Sequence, residues 1–400
     1  MGAVDFGRMS NSLVAPLRTG LIISVVVFCL IWSLLSLDLH VTSIKIFHGG
    51  DQKINSKPQN NATTEHTASV QETSPPAKNT TVIVTVPATD GHGNSTGGHV
   101  QLDLSTISNR PLILYAYADS KDGSALANFK FFIAHGLHAA ADFIIILNGE
   151  TSAAALIPTK DNIRVVHRPN TCYDMGAFSE VLQKDGLYKR YKRFITMNAS
   201  IRGPFMPYWS EGCWSDMFLN LVTDEVKLVG MTANCWPTFH IQSMIWATDL
   251  IGITTLLFPP KKALDYLSTH PHYAPRSSSS PEKRHTRSTS PSTIFGINGC
   301  FSTWHSAVRA EVSSTSLILA SGYKVDALML AYQGLPRYKE NLSCKENQDL
   351  LFPGNYFGID VHPFETVFMK ANRDVSPKVL ERYSEWMEAK KYSSYDVCKA

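Results

Sequence analysis

Arg168-Pro-Asn-Thr-Cys-Tyr-Asp174 packs a guanidinium, an amide and a carboxylate into seven residues. Asn198-Ala-Ser-Ile-Arg202 gathers an amide, a hydroxyl and a second guanidinium in five. Each segment follows a short apolar run, Ile163–His167 in one case and Phe194–Met197 in the other. A guanidinium matches a phosphate in charge and shape. Amides and hydroxyls orient polar ligands, and a carboxylate can take a proton. Each residue also has a plain structural reading. Asp174 suits a helix N-cap, Asn170 a turn, and Arg168 a surface ion pair.

These segments need elements to hold them. Leu112–Tyr117, Phe143–Leu147, Ile163–His167, Phe194–Met197 and Val226–Met231 read as buried strands. Ser124–Leu137 and Met175–Leu187 have helical apolar spacing between them. Strands alternating with helices imply an α/β domain with a mainly parallel sheet. In such sheets ligands bind beyond the carboxyl ends of the strands. That rule singles out Asp119, Asn148, Arg168 to Asp174 and Asn198 to Arg202. Further along, His240–Ala247 reads as a strand or helix start, Ser302–Gly322 as a helix, and another helix begins near Pro377.

The chain has 400 residues, is 44% hydrophobic and 18% charged, and carries a formal net charge of +3. That excludes a wholly disordered chain and one built to coat nucleic acid. Thr19–Leu37 is 19 residues without a charge, long enough to span a membrane as a helix. It predicts a single-pass signal anchor at 19–37 behind a cytosolic tail at 1–18. Residues 38–109 read as a disordered stem, with sequons at Asn61, Asn79 and Asn94; a further loop sequon lies at Asn341. The body then spans 110–400 and lies in the lumen of the Golgi or endoplasmic reticulum, as a type II protein. Residues 268–293 are rich in Ser, Thr and Pro and read as a disordered insertion. Besides Cys29 in the apolar segment, six cysteines remain, Cys172, Cys213, Cys235, Cys300, Cys344 and Cys398, without metal-ligand spacing. Free thiols and disulfides both stay open.

Three segments together carry a resemblance: Arg168-Pro-Asn-Thr-Cys-Tyr-Asp-Met-Gly-Ala177, Met197-Asn-Ala-Ser-Ile-Arg-Gly-Pro-Phe205, and Ala310-Glu-Val-Ser313 with Ala320-Ser-Gly-Tyr323. The chain resembles the rhamnan-synthesis type of glycosyltransferase-like proteins and their membrane-anchored fungal and algal relatives, over roughly Leu112 to Arg373. The resemblance implies a GT-A-like fold that holds a nucleotide sugar. Cys172 stands where the family often has Gly. Asn198 and Ser200 stand where the wider GT-A class has the carboxylates of a metal-binding D-x-D. An amide and a hydroxyl hold Mg²⁺ or Mn²⁺ poorly without a carboxylate. The resemblance therefore implies transfer without a D-x-D metal, with Arg168 or Arg202 supplying positive charge.

On this reading Asp119, Arg168, Asn170, Asp174, Asn198, Ser200 and Arg202 bind the nucleotide sugar. Asp174 and Glu311 are the catalytic candidates, Glu311 as general base. His240 and Gln242, at strand spacing, and His362 and Glu365 are weaker candidates for donor or acceptor contact. No metal or other cofactor is expected, and the nucleotide-sugar donor enters as substrate. Asn198-Ala-Ser is itself a sequon, and a role in the site requires it to be unmodified. The expected activity is hexosyl or deoxyhexosyl transfer to a glycan or glycoconjugate in the secretory pathway. The alternative is an inactive glycan-binding or complex-organising membrane protein of the same fold. A glycoside hydrolase needs two carboxylates across a cleft, and no pair announces itself in the sequence.

Overall fold

Leu112–Tyr117 is buried along its whole length, which suits a central strand covered on both faces. The computed structural model describes residues 83–89, 95–270, 295–334 and 349–399. They belong to one compact unit, Lys78–Ala400. The expected anchor and three of the expected glycosylation sites (Asn61, Asn79, Asn94), together with Asn341, lie outside the described residues. Among the described residues no helix is long and apolar enough to cross a membrane.

Strand β1 (Ile83–Thr89) pairs antiparallel with β2 (Ser95–Asp103). This hairpin lies within the segment expected as disordered stem. Its Ile, Val and Thr content explains the difference, since β-branched residues favour strands. Leu102, Leu104 and Ile107 already pack against the core, before the expected boundary at 110.

The main sheet is built from β3 (Leu112–Tyr117), β4 (Asp142–Asn148), β5 (Ile163–Arg168) and β6 (Arg193–Asn198). A two-residue β7 (Ile201–Arg202) follows, then β8 (Val226–Gly230) and the short pair β9 (Ala233–Asn234) and β10 (His240–Ile241). The last strands are β11 (Ile245–Asp249), β12 (Lys324–Ala327) and β13 (Met369–Lys370). The seven-stranded order is β12-β8-β11-β6-β3-β4-β5. β5, β4, β3 and β6 run parallel, β11 runs antiparallel to β6 and β8, and β12 is parallel to β8. This mixed α/β architecture, a mainly parallel sheet with flanking helices, fits the GT-A-like expectation. The segment 240–247 contributes strand residues rather than a helix start.

Helix α1 (Ser124–His135) packs on β3 through aromatic rings. Phe129 and Phe132 stand 5.4 and 4.7 Å from Tyr115, centroid to centroid. Each such buried ring contributes on the order of 1.5–3 kcal/mol through burial alone. Helix α2 (Tyr173–Gln183) follows β5, and α3 (Trp214–Leu219) precedes β8. Helix α4 (Leu250–Leu257) starts at Asp249, whose carboxylate accepts from Gly252 N as an N-cap. Helix α5 (Lys261–Thr269) ends inside the expected insertion, most of which lies outside the described residues. Helix α6 (Trp304–Ala320) opens with a Thr303/Ser306 capping box. Helix α7 (Pro377–Lys390) closes over β7 and β13 through a small second core containing Phe131, Phe205 and Met369.

Candidate functional site

Register brings the candidate turns together. Ala116 of β3 lies opposite Asn198 of β6, and Tyr117 opposite Leu147 of β4. Asn148 in turn lies opposite Arg168 of β5. The strands therefore end at one rim, and a cleft of about 440 Å³ opens there. Its walls come from Ala116–Ala118 and Ser120, the turn Asn170–Met175, the turn Asn198–Ser200, helix α6 and the segment around Lys370.

The first turn is held by local constraints. Cys172 and Tyr173 both adopt positive φ, 66° and 54°. Cys172 is disulfide-bonded to Cys300, which ties the turn to the segment leading into α6. Gly176 sits against this link, where a Cβ would come within 2.6 Å of Cys172 Cβ and 2.9 Å of Gly299 O. Any side chain there would force the turn and the Gly299 segment apart. Cys172, not Asp174, is the N-cap residue of α2. Asp174 lies in the first helical turn, where Oδ1 accepts from Met175 N at 2.9 Å. This departs from the cap reading of the sequence and frees the carboxylate to face the cleft.

The second turn is a polar junction. Asn198 Nδ2 donates to Asp174 Oδ2. Asn198 Oδ1 accepts from Ser200 N at 3.1 Å and from Ser200 Oγ. Lys370 Nζ donates to Ser200 Oγ at 2.9 Å. One hydrogen-bonded chain thus runs from the Lys370 ammonium through Ser200 and Asn198 to Asp174. Strand pairing fixes the lysine: Lys370 lies opposite Ile201, and Ala371 N donates to Ser200 O at 3.0 Å. Glu311 reaches the cleft from α6, its Oε1 accepting from Ser243 N at 2.6 Å.

Electrostatics follow from this packing. Burial pushes the Asp174 carboxyl up; its bond from Asn198 opposes the rise and the nearby Glu311 charge adds to it. Burial, aided by Arg373, brings the Lys370 ammonium down to about 8, against the pull of Glu311, Asp349 and Asp174. Two carboxylates and one ammonium therefore share the cleft.

Of the residues singled out in the sequence, Asn148, Asn170, Tyr173, Asp174, Asn198 to Ser200 and Glu311 line this cleft. Arg168, Arg202, Asp119 and the weaker candidates do not. Arg168 turns inward, with Nε and Nη2 on Glu180 Oε2 at 3.0 and 2.7 Å. Its Nη1 donates to Asn148 Oδ1 at 2.6 Å and to Thr171 O at 3.0 Å. Arg168 is thus a clamp for the turn rather than a phosphate contact. Arg202 donates to Asn128 Oδ1 at 2.9 Å and lines a separate cavity beneath α7. Asp119 stands exposed just outside the lining and accepts from Tyr117 Oη.

His240 and Gln242 are buried outside the cleft, the first bonded to Thr238 O and the second to Thr232 Oγ1. His362 caps the helical turn Pro363–Thr366, and Glu365 accepts from Leu330 N and Tyr356 Oη. Both belong to structural contacts away from the cleft. Lys370, Ser243 and Trp304 line it without having been singled out. Nothing near Lys370 in the sequence marks it, because its role depends on the pairing of β13 with β7, which are separated by most of the body. Tyr173 and Trp304 are 44% and 52% exposed, and so present aromatic faces at the cleft.

Cys213 is disulfide-bonded to Cys398, and Cys235 is also in a disulfide. Among the described residues, the only cluster of three His, Cys, Asp or Glu ligand atoms is His138, Cys213 and Cys398. Its two sulfurs are joined to each other and offer no thiolate to a metal.

Neither a family model nor a curated protein sequence matches the chain. Solved structures with similarity include a cytidylyltransferase from Leptospira borgpetersenii serovar Hardjo-bovis (strain JB197). It shares 11% identity over 40% of this chain and 72% of its own, with a TM-score of 0.25. A second, from Desulfovibrio desulfuricans G20, is described as a nucleotide-diphospho-sugar transferase. It shares 10% identity over 38% of this chain and 70% of its own, with a TM-score of 0.23. Similarity this slight carries no function, which must be argued from the cleft.

Proposed function

We propose that the chain is a glycosyltransferase that holds a nucleotide sugar in the cleft at the ends of β3, β4 and β6. One observation carries the reading: the Asn170–Asp174 turn and the Asn198–Ser200 turn meet there and are bonded through Asn198 and Asp174. In the transfer, the acceptor oxygen bonds the sugar's anomeric carbon, and the bond from that carbon to the phosphate oxygen breaks. The electron pair leaves with the nucleoside diphosphate, and the acceptor proton passes to a cleft carboxylate. Glu311 fits that role, since only Oε1 is engaged by Ser243 N. A positioned base of this kind supplies about 10²–10⁴-fold. Asp174 then orients the donor.

The reading extends to a hexosyl or deoxyhexosyl donor, a glycan or glycoconjugate acceptor, and a single-pass luminal setting in the Golgi or endoplasmic reticulum. The disulfides support an oxidising compartment, and Thr19–Leu37 supports an anchor. The N-x-S turn supports transfer without a D-x-D metal, because both amide atoms of Asn198 are already engaged.

Asp174 and Glu311 in one cleft also satisfy part of what a glycoside hydrolase needs. Lys370 favours transfer, since a buried cation suits an anionic leaving group that a simple glycoside lacks. The test is binding and hydrolysis of a panel of nucleotide sugars by the full chain in detergent, with and without Mn²⁺. Release of nucleotide from one donor supports the reading; cleavage of simple glycosides without nucleotide binding refutes it.

A further inference from the structure

Lys370 is 7% exposed, yet it lines the cleft. Its ammonium meets one neutral oxygen, Ser200 Oγ, and among the described residues no carboxylate lies within ion-pair distance. A buried charge without a close counter-charge is costly and is not retained for stability. Two features hold it in place regardless. The backbone is paired through β13 and β7, and buried Phe368 and Met369 precede it. The side chain is aimed by the Ser200 hydroxyl, itself tied to Asn198.

We propose that Lys370 is the counter-charge for the donor's diphosphate, and that Asn198 and Ser200 act as positioning residues that hold Lys370 and Asp174 on the same ligand. This rests on the glycosyltransferase reading and assigns the group that stands in for a metal there. The N-x-S turn then has a definite task. In place of two carboxylates holding a cation, an amide and a hydroxyl hold an ammonium. The assignment differs from that expected of Arg168 and Arg202, both of which are engaged elsewhere.

The test uses the full chain in detergent, with EDTA, and titrates UDP, GDP, CDP and ADP against their nucleosides by calorimetry. Wild type is expected to bind one diphosphate about 10- to 100-fold more tightly than its nucleoside, since a charge-assisted bond carries about 1.5–3 kcal/mol. Lys370→Met should weaken that diphosphate about 10- to 100-fold and leave the nucleoside unchanged. Lys370→Arg should recover part of the loss. Ser200→Ala should give a smaller loss, which Lys370→Met then makes no worse in the double variant than alone.

The pH profile of wild type gives a second readout that no variant can spoil. Arg373 repels the Lys370 charge while Glu311, Asp349 and Asp174 favour it. Lys370 loses its charge as the pH rises through about 8, so diphosphate affinity should fall across that range. In Lys370→Met the profile should be flat.

Unchanged diphosphate binding in Lys370→Met, or a flat wild-type profile, overturns the assignment but leaves the transferase reading standing. Loss of diphosphate binding in EDTA alone also overturns it, because a metal then carries the charge. If wild type binds no nucleotide at all, both fail together.

Discussion

Arg168→Ala separates a clamp from a ligand contact. The wild-type side chain is 4% exposed and makes four hydrogen bonds. Truncation affects its partners unequally. The Glu180 side chain is 59% exposed, so water replaces the guanidinium there. Thr171 is exposed as well. Asn148 is 7% exposed and cannot recover its lost donor so easily. An orphaned buried acceptor costs about 1–3 kcal/mol, and lost packing of the aliphatic stem adds roughly 1 kcal/mol more. The sum, about 3 kcal/mol, corresponds to a fall of roughly 6–12 °C in Tm for a domain of this class. Glu180→Ala should cost less, because the guanidinium keeps Asn148 and Thr171 and gains water. Thermal and urea unfolding of the two variants measure this. Nucleotide affinity, measured where both remain folded, should change little. A variant that melts like wild type but binds nucleoside diphosphate tenfold more weakly would falsify the clamp, since Arg168 would then be touching the ligand.

Other consequences follow from the same geometry. The Lys227 side chain is 2% exposed and pairs with Asp249, which also caps α4. Asp249→Ala should cost about 4–6 kcal/mol, from a stranded buried ammonium plus a lost cap. Lys227→Met should cost less than about 2 kcal/mol, because Asp249 stays partly hydrated and keeps its cap; equal costs in urea unfolding would contradict this. Cys172→Ser with Cys300→Ser should remove about 2–4 kcal/mol by releasing a loop of long sequence separation. That pair should also lose more donor hydrolysis than Asp249→Ala, although Asp249→Ala is the less stable, because the disulfide holds the turn that carries Asp174. Trp304→Ala should leave stability within about 0.5 kcal/mol of wild type, as its ring is half in solvent. Donor or acceptor affinity should still drop about 3- to 10-fold if the ring stacks on the ligand, and unchanged affinity assigns it to the surface alone.

Much of the body is legible as a sequence because its elements are made of local patterns. LILYAY and FIIIL are continuous apolar runs, and they become the strands β3 and β4 of the sheet interior. Asp249 sits where an acidic side chain can cap the following helix, and it does so. The IVTVPAT segment is the exception. Its strand pattern was outweighed by the polar composition around it, and the hairpin forms through pairing with residues farther on.

The sequence by itself determined that strands alternate with helices, and that two polar turns follow parallel strands at their carboxyl ends. Those features depend on spacing between near neighbours. Tertiary structure alone decided which polar groups face the cleft. Arg168 and Arg202 turn away to meet Glu180 and Asn128, while Lys370, far along the chain, enters through a two-residue strand pairing. A long cation can follow several paths of equal local cost. Only the positions of its distant partners select one of them.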